Sequence, residues 1–122
     1  MNGLIDQNGR ALLSIIVSAN LNTSAASINA WIDTGFTGDL VVASSLIAEM
    51  QLPQSGTVDA ILADGSLVEL PTYTCFVDWF GRRRQLEVVS NDGEYALLGV
   101  GLLVGLELRL NYRTLELSLD EG

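Results

Sequence analysis

Short segments in which hydrophobic and polar residues alternate recur along the chain, with turn residues about every eight to twelve positions. Alternation at every second position places one set of side chains on each face of a β-strand. The pattern predicts strands at 11–18, 27–33, 58–63, 66–70, 72–80, 85–90, 106–112 and 115–119. Strands of this length and spacing are typical of an all-β barrel or sandwich.

Two hairpins are predicted from turn residues and from the register of apolar positions. Asp64-Gly65 favours a type I′ turn, because Gly accepts a positive φ without steric cost. Towards the end of the chain, leucines at every second position share one face in each of two successive segments. Residues 106–119 are therefore predicted to form the second hairpin.

Two stretches break the strand pattern. Leu46, Ile47 and Met50 are spaced for one face of a helix and Pro53 follows them, so residues 44–51 are predicted to form a short helix. Residues 99–104 are apolar throughout and are predicted to form a buried helical turn. The sequence has no repeat, linker or low-complexity segment, so we expect one domain spanning 1–122.

The net charge and the hydropathy of the chain limit the kinds of partner that we expect it to bind. The 122 residues carry a net charge of -9, with a pI near 4.1. Nucleic acid is not an expected partner, because phosphate contacts need a surplus of Lys and Arg. The uncharged stretches 11–32 and 95–106 are interrupted by polar residues or too short to span a bilayer, so no membrane is expected. The first residues do not resemble a signal peptide, so we expect a cytoplasmic protein.

Several individual residues are predicted to be structural. Arg82-Arg83-Arg84 is interpreted as the solvated tip of a hairpin after Gly81, with a docking patch as the alternative. Trp31 and Trp79 are expected in the core rather than stacked on a substrate. The single cysteine, Cys75, lies in a predicted strand and is expected to be a buried core thiol.

Missing residue types exclude several kinds of catalytic site. Without His, the chain cannot form a Ser-His-Asp or Cys-His nucleophile pair or a His-based zinc site. Without Lys, it cannot form a Schiff base or a Walker-type phosphate loop. No Asp-x-Asp-x-Asp-Gly spacing indicates calcium, and we expect neither a metal nor a cofactor. Any catalysis must therefore depend on carboxylates.

Three short motifs occur in an informative order. An apolar strand ends at Asp33-Thr34-Gly35, a hairpin follows at Ala63-Asp64-Gly65-Ser66, and Leu97-Leu98-Gly99 comes later. This order resembles the retropepsin-like aspartic proteases over roughly residues 11 to 112, and Phe36 after the triplet resembles the DTGF-type members of prokaryotic genomes. The resemblance implies a closed β-barrel, the acid protease fold, with one or two short helices. It also implies that the three motifs are the catalytic loop, the substrate-binding flap and the floor of the site.

The chemistry needs two carboxylates, whereas the chain supplies one Asp-Thr-Gly triplet. Two copies of Asp33 meeting across a twofold axis would satisfy the need, and about 3 Å apart they would share one proton. Gly35 lets backbone N–H groups approach the carboxylate. By resemblance, Thr34 would hydrogen-bond across the dimer.

The sequence also departs from the retroviral pattern. Retroviral enzymes usually carry an acidic residue and an Arg that pair to support the dimer, whereas Thr37 and Val100 occupy those places. The flap tip has one Gly where retroviral flaps have several. Residues 115–119 extend past the retroviral core and are assigned either to the dimer interface or to covering a sheet edge.

These observations lead to two hypotheses. In the first, the protein is a homodimeric aspartic endopeptidase that hydrolyses peptide or protein substrates with water activated between two Asp33 carboxylates. In the second, it is a non-catalytic binding or dimerisation module that keeps the protease fold. The intact triplet favours the enzyme, and the missing ion pair and the flap tip with a single Gly favour the module.

Overall fold

The computed structural model of the protein describes residues 1–22 and 25–122, and the strands within these ranges form one sheet of ten. In chain order they are β1 Asn2–Ile5, β2 Ala11–Ser18, β3 Ala26–Ile32, β4 Leu40–Ala43, β5 Gln54–Ile61, β6 Leu67–Trp79, β7 Arg82–Asn91, β8 Ala96–Leu98, β9 Glu107–Asn111 and β10 Glu116–Asp120. Two short helices, α1 Ser44–Met50 and α2 Val100–Leu103, follow β4 and β8.

Six of these strands close into a barrel. The order around it is β6, β7, β4, β8, β3 and β2, and β2 returns to β6 where Val17 lies opposite Val77. The β3–β8 and β4–β7 pairs are parallel. Strand β5 extends from β6 as a hairpin, and β1, β10 and β9 extend in that order from β2. The predicted all-β closed barrel with two short helices is confirmed.

Alternating apolar residues fill the barrel. In β2, Leu13, Ile15 and Val17 point inward and are at most 3% exposed. Ile47 of α1 and Leu102 of α2 pack on the same core. Truncating one large aliphatic side chain in such a core costs about 2–5 kcal/mol, so the barrel is a stiff support for the loops that leave it. No helix within the described residues has the length and apolar character needed to cross a bilayer.

The predicted strands at 66–70 and 72–80 are a single strand, β6, that runs through Pro71. This part of β6 pairs only with β5, because pairing with β7 begins at Tyr73. Pro71 has no backbone N–H to donate. It is tolerated there because the side of β6 that faces away from β5 forms no ladder hydrogen bonds at this point. The other predicted strands and both helices are confirmed to within a few residues.

The turn type predicted at Asp64-Gly65 is wrong, although the hairpin is confirmed. Among the described residues of this turn, Gly65 alone has a positive φ, 85°. The N–H of Gly65 donates to the Leu62 carbonyl and that of Leu62 donates to the Ser66 carbonyl. This is a three-residue loop ending in a left-handed Gly. The β6–β7 hairpin instead has positive φ at both Phe80 and Gly81, as a type I′ turn requires.

The arginine cluster lies at the β6–β7 hairpin, as predicted. Arg82 and Arg84 are exposed. Arg83 is half-buried, pairs with Asp78 at 2.9 Å and donates to the Leu21 carbonyl at 3.1 Å. One of the three arginines therefore fastens the hairpin to a neighbouring loop.

The last hairpin covers a sheet edge. Strand β10 pairs with β1 and buries Leu117 and Leu119, and the amino group of Met1 donates to the Leu119 carbonyl at 2.6 Å. Strand β9 becomes the outer strand. Of the two predicted roles for residues 115–119, covering an edge is the one seen in this chain.

Two of the three residues expected in the core are buried there. Cys75 is fully buried, and its burial raises the pKa of its thiol to about 11, so the thiol stays protonated at neutral pH. Trp79 is 7% exposed. The prediction for Trp31 is wrong, because this side chain lies on the outward face of β3 and is 39% exposed.

Candidate active site

The Asp-Thr-Gly triplet begins where β3 leaves the barrel. The N–H of Asp33 donates to the Leu98 carbonyl of β8 at 2.9 Å, which holds the end of the strand in the sheet. The chain then turns, and the N–H of Phe36 donates to the Asp33 carbonyl at 3.1 Å. The N–H of Gly35 donates to Oδ1 of Asp33 at 2.9 Å. The carboxylate is thus oriented by a turn that is fastened to a buried sheet.

The backbone that follows β8 supports this loop from below. Three successive N–H groups donate to loop carbonyls, from Gly99 to Asp39, from Val100 to Phe36 and from Gly101 to Gly38, at 2.9, 2.8 and 3.0 Å respectively. The predicted floor residues Leu97, Leu98 and Gly99 therefore lie beside or beneath the triplet. Val100, which lacks the charge of the retroviral arginine, contributes its backbone N–H to the loop.

Close backbone packing explains the glycine at position 99. A Cβ there would lie 2.2 Å from the carbonyl oxygen of Gly38 and 2.7 Å from that of Phe36. Real Cβ atoms do not approach backbone oxygens so closely, and both oxygens are held by hydrogen bonds. Any side chain at this position would push the loop away from its support.

The outer surface of the triplet is open. Thr34 and Gly35 are exposed and Asp33 is half-buried. Because the chain has one Asp-Thr-Gly triplet, each chain presents one such carboxylate. The predicted bracing by Thr34 needs a second copy and stays a prediction.

A cleft of about 970 Å³ lies between the triplet loop and the β5–β6 hairpin. Its barrel side includes loop residues 35–39 and the side chains of Val41, Val89 and Leu97. Val58 and Leu70 of the hairpin face them. Ligand sites commonly have this size and an apolar lining of this kind.

The predicted flap residues Ala63, Asp64, Gly65 and Ser66 form the tip of that hairpin. The hairpin contributes residues of its two arms to the described lining of the cleft, and the residues of the tip are not part of that lining. Hydrogen bonds from the side chain and backbone of Ser66 lower the pKa of Asp64, so this carboxylate stabilises the turn. Sequence reasoning missed Val58 and Leu70, although their alternation with polar neighbours could have indicated them.

A group of aromatic and charged side chains lies on the outer face of the barrel, close to the end of β3 in the chain. The Trp31 and Tyr95 rings meet edge to face at 6.3 Å, and the Arg10 guanidinium lies 4.8 Å from the Tyr95 ring and 5.8 Å from the Trp31 ring. Asp6 accepts from Nε of Arg10 at 2.7 Å, and this hydrogen bond lowers the pKa of Asp6. These contacts join the ends of β3 and β8.

Among the described residues, the Cys, Asp and Glu side chains form no group of three or more that could hold a metal ion.

Solved structures of other proteins resemble this fold, although no family model and no curated protein matches the sequence. A retropepsin-like aspartic protease from Rickettsia conorii aligns over 98% of this chain and 89% of its own, with a TM-score of 0.66 and 17% identity. The protease of EIAV aligns over 80% and 88%, with a TM-score of 0.55 and 16% identity. The simian foamy virus protease aligns over 75% and 91%, with a TM-score of 0.51 and 16% identity. The fold is therefore retropepsin-like.

Proposed function

We propose that the protein is a homodimeric aspartic endopeptidase, formed by one domain spanning 1–122. The observation that carries the proposal is the Asp33 carboxylate, which a backbone-anchored loop orients in a retropepsin-like barrel. The same loop lines the adjacent cleft from Gly35 onward. Phe36 after the triplet supports assignment to the DTGF-type prokaryotic members. The cytoplasmic location expected from the sequence remains a prediction.

In the proposed dimer, two Asp33 side chains share one proton, because ionising the second of two carboxylates about 3 Å apart is strongly disfavoured. The ionised Asp33 takes a proton from water while the water oxygen bonds to the carbonyl carbon of the substrate. The protonated Asp33 gives its proton to the carbonyl oxygen. The C–N bond of the resulting tetrahedral diol then breaks: the Asp33 that took the proton from water gives it to the nitrogen, and the other Asp33 takes a proton from one hydroxyl of the diol as the new carboxyl group forms. The pair returns to its singly protonated state.

The direct test is incubation with a denatured mixture of proteins across pH, with and without a statine-type transition-state analogue. Cleavage that the analogue suppresses supports the proposal. Binding of peptides without cleavage at any pH would favour the alternative, a binding or dimerisation module. The specific observation behind that alternative is the uncharged pair Thr37 and Val100, which cannot form the ion pair of the retroviral dimer.

Activity should depend on protein concentration. Since each chain presents one Asp33, dilution below the dimer dissociation constant should lower the rate per chain towards zero. Sedimentation and initial rates measured over the same concentration series test this. A monomer that cleaves at the full rate per chain would contradict the shared pair of carboxylates.

The rate should have a bell-shaped dependence on pH, with its maximum below neutrality. Activity needs one protonated and one ionised carboxylate, so it should fall when both are protonated and when both are ionised. Near the pI of 4.1 the protein should also lose net charge and associate. We expect the best usable activity at roughly pH 5 to 6. A rate that rises steadily into alkaline solution would exclude the mechanism.

A further inference from the structure

The cleft has an acidic side chain that the proposed reaction does not use. Glu87 lies on β7 two residues before Val89, so both side chains extend from the same outward face of the strand. Both residues line the cleft, and Glu87 is exposed to it. A carboxylate thus stands beside the aliphatic walls formed by Val58, Val89 and Leu97.

Hydroxyl groups hold this carboxylate in place. Ser55 donates to Oε2 of Glu87, and Thr74, which lies opposite Glu87 in the β6–β7 register, donates to Oε1 at 3.4 Å. Ser55 is itself hydrogen-bonded to Thr72 at 3.1 Å. A carboxylate has about four acceptor positions, and these two donors leave positions free on both oxygens. Glu87 is therefore oriented and can accept further hydrogen bonds.

No positive charge of the described cleft compensates Glu87. The described lining includes the residues Asp39, Asp59 and Glu87 and contains no arginine. Arg10, Arg83 and Arg109 are engaged with other carboxylates, those of Asp6, Asp78 and Glu107. The remaining arginines, Arg82, Arg84 and Arg113, do not belong to the described lining either. The sequence supplies no Lys or His. A bound cation would therefore meet an unbalanced negative charge next to an apolar wall.

We propose that Glu87 selects peptides that carry an arginine or lysine side chain at the position facing β7. The methylene groups of such a side chain would lie along Val58 and Val89, and its cationic end would hydrogen-bond to Glu87. A guanidinium fits best, because it can donate to both oxygens at once. This inference rests on the proposed function, since it assumes that the cleft holds the peptide substrate.

A set of short labelled peptides tests the inference. Each peptide carries arginine at one position, and its control carries citrulline there, which has the same shape but no charge. Cleavage is measured as kcat/KM. Binding is measured by fluorescence anisotropy with peptides in which the peptide bonds are replaced by reduced bonds that cannot be hydrolysed. At one position, arginine should be favoured over citrulline by about 10- to 100-fold. The preference should weaken with added salt.

Two matched variants test whether Glu87 causes the preference for arginine over citrulline. Glu87→Gln keeps an acceptor for the hydroxyl groups but loses the charge, and should bring the arginine-to-citrulline ratio close to one. Glu69→Gln removes the same charge from an exposed residue of β6 that does not belong to the described lining, and should leave the ratio unchanged.

The outcomes separate this inference from the proposed function. Cleavage without a preference for arginine, or a preference that survives in Glu87→Gln, overturns the inference and leaves the proposed function intact. Tight binding of arginine peptides that depends on Glu87, without any cleavage, supports the inference and overturns the endopeptidase. Equal binding of arginine and citrulline peptides at every position overturns the inference whether or not cleavage occurs.

Discussion

Asp33→Asn should lower peptidase activity by several orders of magnitude while the protein stays folded. Asparagine retains an oxygen that can accept the Gly35 N–H, which donates to Oδ1 of Asp33 at 2.9 Å in the native protein. It cannot ionise, so the pair of side chains can neither take a proton from water nor return one to the substrate. The measurements are kcat/KM on a purified peptide substrate and thermal unfolding of both proteins.

Asp64→Asn is the matched control for this prediction. Asp64 has the same side chain in an exposed turn, where it accepts hydrogen bonds from the backbone and side chain of Ser66. Its replacement should change kcat/KM only modestly. If Asp33→Asn cleaves like the native protein, the activity comes from another site or from a contaminant, and the binding-module hypothesis becomes the better one.

Gly99→Ala should destabilise the protein and abolish cleavage. The added Cβ would meet the carbonyl oxygens of Gly38 and Phe36 at 2.2 and 2.7 Å, and neither backbone group can move without losing its hydrogen bond to the segment below. Overpacking of this kind costs about 1–3 kcal/mol or more in the free energy of unfolding. Denaturant unfolding measures the loss, and kcat/KM on the remaining folded protein measures the displacement of Asp33.

Gly56→Ala is a suitable comparison, because a Cβ at that position would meet Thr72 Oγ1 at an ordinary 3.6 Å. Its unfolding free energy should stay within about 0.5 kcal/mol of the native value. Native stability and activity in Gly99→Ala would show that the loop does not depend on this close packing.

Sequence alone predicts the parts of this fold that depend on local patterning. Strand β2 has the predicted bounds because it is a mainly apolar run of strand length, and its exposure alternates from Leu13 to Val17. The pattern fails for β4 and β8, which have four and three residues and are apolar without alternation. From the sequence pattern alone, such short strands inside a barrel cannot be distinguished from apolar loop segments.

The candidate site likewise combines parts that the sequence predicts with parts that it does not. The triplet and the floor were predictable because each is a contiguous motif on the chain. The cleft walls were not, because Val41 and Val89 become neighbours only through the parallel β4–β7 pairing. Glu87 was missed for a related reason, since its hydroxyl partners Ser55 and Thr74 come from two other strands.

Closure of the barrel through Val17 and Val77 joins parts of the chain that are far apart in sequence. The β5–β6 hairpin joins near neighbours in sequence, whereas the β2–β6 contact joins residues far apart and costs more chain entropy before it stabilises anything. One wall of the cleft therefore belongs to a local hairpin, whereas the opposite wall depends on the parallel β3–β8 and β4–β7 pairs, which join distant parts of the chain. We expect a newly made chain that lacks these pairs to have no groove beneath the hairpin. Under the proposed function, incompletely folded chains would be inactive, and the cell's other proteins would be exposed to the enzyme only after it has folded.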